Sequence, residues 1–132
     1  MISTPAPSEP LEMPLISIVD DDEGIRQALK SLIDSVGFRA EVFDSGEKFL
    51  NSPYLTQTDC LIADVRMPGM SGLELQDRLS AAGRSIPIVF ISAHDDTEAR
   101  ARGLRAGAID FLQKPFSEDS LLGAISVCLD KS

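Results

Sequence analysis

Basic residues are scarce in this chain: 12 lysines and arginines stand against 21 acids in 132 residues, a formal net charge of -9. Gripping a nucleic-acid backbone requires a basic face, and an anionic membrane surface repels an acidic chain in the same way. Neither direct nucleic-acid binding nor membrane binding is expected. Long hydrophobic runs are also missing. No apolar stretch nears the ~20 residues needed to cross a bilayer. The N-terminus lacks the basic start and continuous apolar core of a secretory signal, so a cytoplasmic protein is expected. The two cysteines, Cys60 and Cys128, lack the pairwise spacing of a metal knuckle or redox motif and read as small buried hydrophobes. The single histidine, His94, reads as solvated in a loop rather than as a base or phosphodonor.

The chain is nonetheless 43% hydrophobic and 25% charged, a balance that suits one globular domain with a real core. Residues 1–14 hold four of the eight prolines and read as a flexible tail, leaving residues 15–132 as the domain. Apolar runs of strand length begin at Leu15 and end at Asp20, span Phe38 to Phe43, run from Cys60 to Asp64, from Ile86 to Ile91, and from Ala108 to Leu112. Between them the hydrophobic period becomes helical. Ile25, Leu29, Leu32, Ile33 and Val36 share one face, and Gly37 supplies the stop. Asp44 or Ser45 caps a short helix ended by Pro53, and a third helix runs from Gly72 to Ala82. A fourth opens at His94–Glu98 and closes at Gly107. Ser117 caps the last, whose stripe is Leu121, Leu122, Ile125, Cys128 and Leu129.

Five strands alternating with five helices predict an α/β fold with a parallel sheet covered on both faces. For so small a domain the doubly wound, flavodoxin-like order 2-1-3-4-5 leads. Its switch point lies between the first and third strands, whose carboxyl ends carry Asp20, Asp21 and Asp64. Three acids at one point call for a positive partner, and Mg²⁺ is the simplest. Lys114 follows the fifth strand on the same rim, and Ser92 brings a hydroxyl from the fourth. Carboxylates, a cation, a hydroxyl and an ammonium suit phosphoryl chemistry, with Asp64 as the nucleophile.

At these residues the chain resembles the receiver domain of bacterial two-component response regulators, from about Leu15 to Leu129, and is most similar to the FixJ type. Ile18-Val19-Asp20-Asp21 matches the acidic pair, and Asp64 with Met67-Pro68-Gly69-Met70-Ser71-Gly72 matches the phosphoacceptor loop. Ser92-Ala93 matches the hydroxyl switch site, and Phe111 with Lys114-Pro115-Phe116 the aromatic-lysine end. The resemblance implies that Asp21, Asp64 and the Arg66 carbonyl bind Mg²⁺ directly, with Asp20 acting mainly through water. It implies that Ser92 and Lys114 hold phosphoryl oxygens, that the Lys114–Pro115 bond is cis, and that Ser92 and Phe111 form the switch. Arg66 and His94 stand where receivers tune phosphate lifetime. The implied partner is a sensor histidine kinase or phosphotransfer protein. The implied output surface is the fourth helix and fifth strand, where receivers dimerise or meet an output domain.

Plainer readings compete. Asp20 to Glu23 also fits an acidic helix start, Asp64 an Asx turn, Ser92 a strand-end backbone partner, and Arg100, Arg102 and Arg105 a solvated helix face. A small Mg²⁺-dependent phosphohydrolase would use similar groups, but it generally needs a second acid where Arg66 stands. A receiver that binds partners without phosphorylation is the third alternative. FixJ-type proteins usually carry a helix-turn-helix output domain, so a stand-alone regulator and one domain of a longer protein both stay open.

Overall fold

The computed structural model describes residues 13–131. The expected tail lies outside them except for Met13 and Pro14. The elements in order are β1 (Leu15–Val19), α1 (Glu23–Ser35), β2 (Arg39–Phe43), α2 (Gly46–Leu50), β3 (Cys60–Asp64), α3 (Gly72–Ala81), β4 (Ile88–Ser92), α4 (Thr97–Arg105), β5 (Asp110–Gln113) and α5 (Glu118–Lys131). The five strands form one parallel sheet in the order β2-β1-β3-β4-β5, as the alternation predicts.

Strands β1, β3 and β4 are buried along their whole length. This is why they read as continuous apolar runs instead of alternating ones. Each face of the sheet has its own core. One gathers Phe49, Leu61, Ala63, Leu75, Leu79 and Phe90 beneath α2, α3 and α4. The other gathers Ile16, Ile18, Ile33, Ile62, Ile91 and Ile125 beneath α1 and α5. Cys60 and Cys128 lie in the second core, both fully buried. A hydrogen bond with Cys128, and then burial, push the Cys60 thiol far above its usual range. Such a thiol is a poor nucleophile.

Several boundaries differ from the sequence expectation for local reasons. Pro87, which has no N–H, precedes β4 instead of belonging to it, although its carbonyl still accepts from the Leu61 amide at 2.9 Å. Ala108 is taken up in closing α4, its amide bonding the Gly103 carbonyl at 3.0 Å, so β5 starts later than its apolar run. Helix α2 is capped by Ser45 and stops at Leu50, short of Pro53. Val36 is the C-cap of α1 and is 41% exposed, so it does not join the stripe that Leu29 and Ile33 bury.

Candidate functional site

Two adjacent central strands deliver the acids. β1 and β3 pair in register from Ile16 with Cys60 to Val19 with Ala63, which sets Asp20 and Asp64 side by side at the carboxyl edge. Asp20 is fully buried and Asp64 nearly so, whereas Asp21 is exposed. Ligand oxygens of Asp20, Asp21 and Asp64 all lie within 4.8 Å of one another.

The acids are held by more than the sheet. Asp20 accepts from the Asp22 amide at 2.9 Å, and its own carbonyl accepts from the Arg26 guanidinium at 2.7 Å. Asp22 in turn caps α1 through the Ile25 amide at 3.1 Å. The acidic run is therefore both a helix start and one wall of the acidic cluster, so the helix-start reading of Asp20 to Glu23 holds without excluding a bound cation. Asp64 accepts from the Arg66 amide at 3.2 Å. That bond is the Asx turn, and it leaves the second Asp64 carboxylate oxygen to Lys114 at 3.4 Å.

Lys114 answers the acids. Its ammonium lies 3.1 Å from Asp20 and 3.4 Å from Asp64, and its amide bonds the Ser92 carbonyl, which ties the end of β5 to the end of β4. The Lys114–Pro115 bond is cis. Burial alone would lower the Lys114 pKa, but its bond to Asp20 and the charges of Asp64 and Asp20 outweigh this and hold it above the usual lysine range. Burial pushes the Asp64 carboxyl up, the Asp20 charge adds to the rise, and Lys114 and the Arg66 amide pull the other way without overcoming it. Both partners rise because one ammonium serves two carboxylates and leaves Asp64 incompletely neutralised.

Three carboxylates against one ammonium leave a surplus of two negative charges when all are ionised, the complement of a divalent cation. Every donor is a hard oxygen, and the exposure of Asp21 keeps the group open to solvent, so the residues present fit Mg²⁺. Ser92 is fully buried at the end of β4, its hydroxyl accepting from the His94 amide at 3.1 Å. Phe111 is buried against Phe90, with ring centroids 6.3 Å apart. The His94 side chain is exposed.

The Arg66 side chain leaves this group. Its guanidinium pairs with Asp96 at 2.6 Å. Asp96 also caps α4 through the Ala99 amide at 3.0 Å. The sequence reading places Asp96 in the helix opening but gives it no partner, since a pair 30 residues apart leaves no periodic signal. Gly72 is named there as a loop residue and helix start, but why it must be a glycine shows only in the fold. A Cβ there would lie 3.0 Å from the Asp64 carbonyl carbon and 3.1 Å from the Val65 Cα, so α3 can start against the end of β3 only through a glycine.

The response regulator protein TmoT of Ectopseudomonas mendocina is 50% identical over 115 residues, covering 87% of this chain and 52% of that one. The transcriptional regulatory protein FixJ of Bradyrhizobium diazoefficiens is 38% identical over 110 residues, covering 83% and 54%. The chain thus spans about half the length of these curated relatives. The response regulator StyR superposes with a TM-score of 0.84 at 48% identity, covering 89% of this chain and 60% of that one. For FixJ-N the values are 0.81, 32%, 90% and 95%. The family model described as "Response regulator receiver domain" matches residues 16–126, and with this sheet order and acidic edge the chain belongs to that family.

Proposed function

We propose that Asp64 is the phosphoacceptor of a two-component switch, taking its phosphoryl group from the phosphohistidine of a sensor histidine kinase or phosphotransfer protein. The observation that carries this reading is the Lys114 ammonium set between Asp20 and Asp64 beside the open Asp21 carboxylate. An Asp64 carboxylate oxygen forms a bond to phosphorus as the P–N bond of the donor breaks, and the electron pair leaves with the imidazole. Asp20, Asp21, Asp64 and the Arg66 carbonyl would hold Mg²⁺, which when bound supplies charge neutralisation for the transferring group. Lys114 then turns from the bare carboxylates to the phosphoryl oxygens, and Ser92 offers its hydroxyl to another. Ser92 and Phe111 carry the change to the surface of α4 and β5, where a second copy or an output domain docks. Arg66 and His94 adjust the phosphate's lifetime without being required. The chain itself is a regulator and not a turnover enzyme, consistent with Arg66 standing where a hydrolase places its second acid.

The test is incubation of the protein with Mg²⁺ and a small acyl phosphate, followed by intact mass and peptide mapping. One phosphate on Asp64, absent from Asp64→Asn, is the expected outcome. Rapid multiple turnover of generic phosphate esters would replace this reading with a hydrolase. No modification would replace it with a receiver that binds partners unphosphorylated.

A further inference from the structure

The Asp96 carboxylate has partners in two different parts of the site wall. One oxygen accepts from the Ala99 amide at 3.0 Å and caps α4, and the other accepts from the Arg66 guanidinium at 2.6 Å. Arg66 is two residues past Asp64, and its amide is bonded to the Asp64 carboxylate at 3.2 Å. A short polar path therefore runs from Asp64 through Arg66 and Asp96 to the first turn of α4. From α4 it continues to β5, because the Arg100 guanidinium donates to the Phe111 carbonyl at 3.0 Å and lies 6.0 Å from the Phe111 ring centroid. Beside the Arg66–Asp96 pair is a surface cavity of about 510 Å³, lined by Met67, Pro68, Ser71, Leu73 and Ala99. The loop and the start of α4 do not close on one another there, so the ion pair spans what packing leaves open.

A phosphoryl group on Asp64 would add a charge of about -1.5 to -2 two residues from Arg66. Arginine binds phosphate and carboxylate alike through two parallel N–H bonds, and the phosphoryl group, carrying the larger charge, draws the guanidinium more strongly than one carboxylate does. Arg66 and Asp96 are also half-exposed or partly exposed, with side-chain accessibilities of 58% and 19%, so their pairing is weak enough to be exchanged.

We propose that the Arg66–Asp96 pair is a latch joining the phosphoacceptor loop to α4, and that a phosphoryl group on Asp64 opens it by drawing the Arg66 guanidinium away from Asp96. Asp96 is then a positioning residue acting through Arg66. The opening step rests on Asp64 being the acceptor, but the closed latch does not.

Two measurements on the 132-residue chain separate these points, using Asp96→Asn, Arg66→Gln and the double variant. Asparagine caps helices as well as aspartate does, so Asp96→Asn removes the pair and keeps the cap. In protein without phosphate, hydrogen exchange of the α4 first-turn amides should quicken about two- to fivefold in Arg66→Gln, the size an exposed pair permits. Unchanged exchange would overturn the closed latch. With acetyl phosphate and Mg²⁺, labelling followed by intact mass should be about two- to fivefold faster in Asp96→Asn than in the wild type. The same substitution should have no effect in the Arg66→Gln background. An equal effect in both backgrounds would reduce Asp96 to a helix cap and overturn the proposal. Absence of labelling in the wild type would remove the Asp64 reading and the opening step together, while the exchange result would still decide the closed latch.

Discussion

At Asp64 the site holds more negative charge than its one lysine neutralises, and that imbalance sets how stability responds to pH. The Asp64 carboxyl is raised in the fold, so the folded state holds its proton more tightly than the unfolded state does. Its contribution to stability is fully present below the unfolded carboxylate value and is lost as pH rises through the folded one. At neutral pH the ionised group is a net cost. Asp64→Asn should therefore unfold at a higher temperature than the wild type at pH 7 in EDTA, with the gap closing as pH falls through the carboxylate range. Added Mg²⁺ should reverse the order. A cation bound only by the folded state stabilises by about 2.7 kcal/mol at a hundredfold excess over its dissociation constant. Thermal melts with and without Mg²⁺ check both statements, and a melt of Asp64→Asn that rises as steeply with Mg²⁺ as the wild type would contradict the second. The placement of the acids, Ser92 and Lys114 at the carboxyl edge is legible in the sequence because each follows a strand-length apolar run at the rim the topology predicts. The Arg66–Asp96 pair is not, since it depends on how two loops meet.

At the scale of single elements, the junction of β3 with α3 is the tightest piece of local construction. Ser71 and Glu74 form a reciprocal capping box, at 3.1 and 2.9 Å, and the Gly72 amide bonds the Val65 carbonyl at 2.9 Å. These bonds bring α3 back over the strand that carries Asp64, and no side chain fits at the crossing. Gly72→Ala would press on backbone, which cannot rotate aside, so a loss of about 3 kcal/mol in urea unfolding is expected. Slower labelling of Asp64 should accompany it, because the obstructed atoms are Asp64's own carbonyl. The run of glycines and prolines after Asp64 marks a turn from sequence alone, but which glycine meets backbone is a fact of three dimensions. The shortened β4 and β5 have the same origin: hydrophobicity locates a strand, whereas its first and last residues depend on which amides find a ladder partner.

The whole molecule is a sheet with two separate cores, and its energetics should divide accordingly. Leu75 is fully buried in one and Ile62 in the other. Leu75→Ala should cost about 2–5 kcal/mol and Ile62→Val about 1 kcal/mol. Since the two side chains lie in different clusters, the double variant should equal the two losses combined to within about 0.5 kcal/mol. Urea titrations of the four proteins test this, and a coupling well above that figure would mean that the sheet transmits packing strain between its faces. The alternation of elements made this architecture readable before any contact was known.

Lys114 and Asp20 meet across 94 positions of chain, and Lys114 and Asp64 across 50. During synthesis both acids leave the ribosome well before the residue that balances them. A chain made only as far as β4 contains both acids but not their counter-charge, which comes only with the end of β5. The balanced edge is thus complete only once the end of β5 is in place, so a chain cut short before Lys114 would keep both carboxylates without the ammonium that now lies 3.1 and 3.4 Å from them.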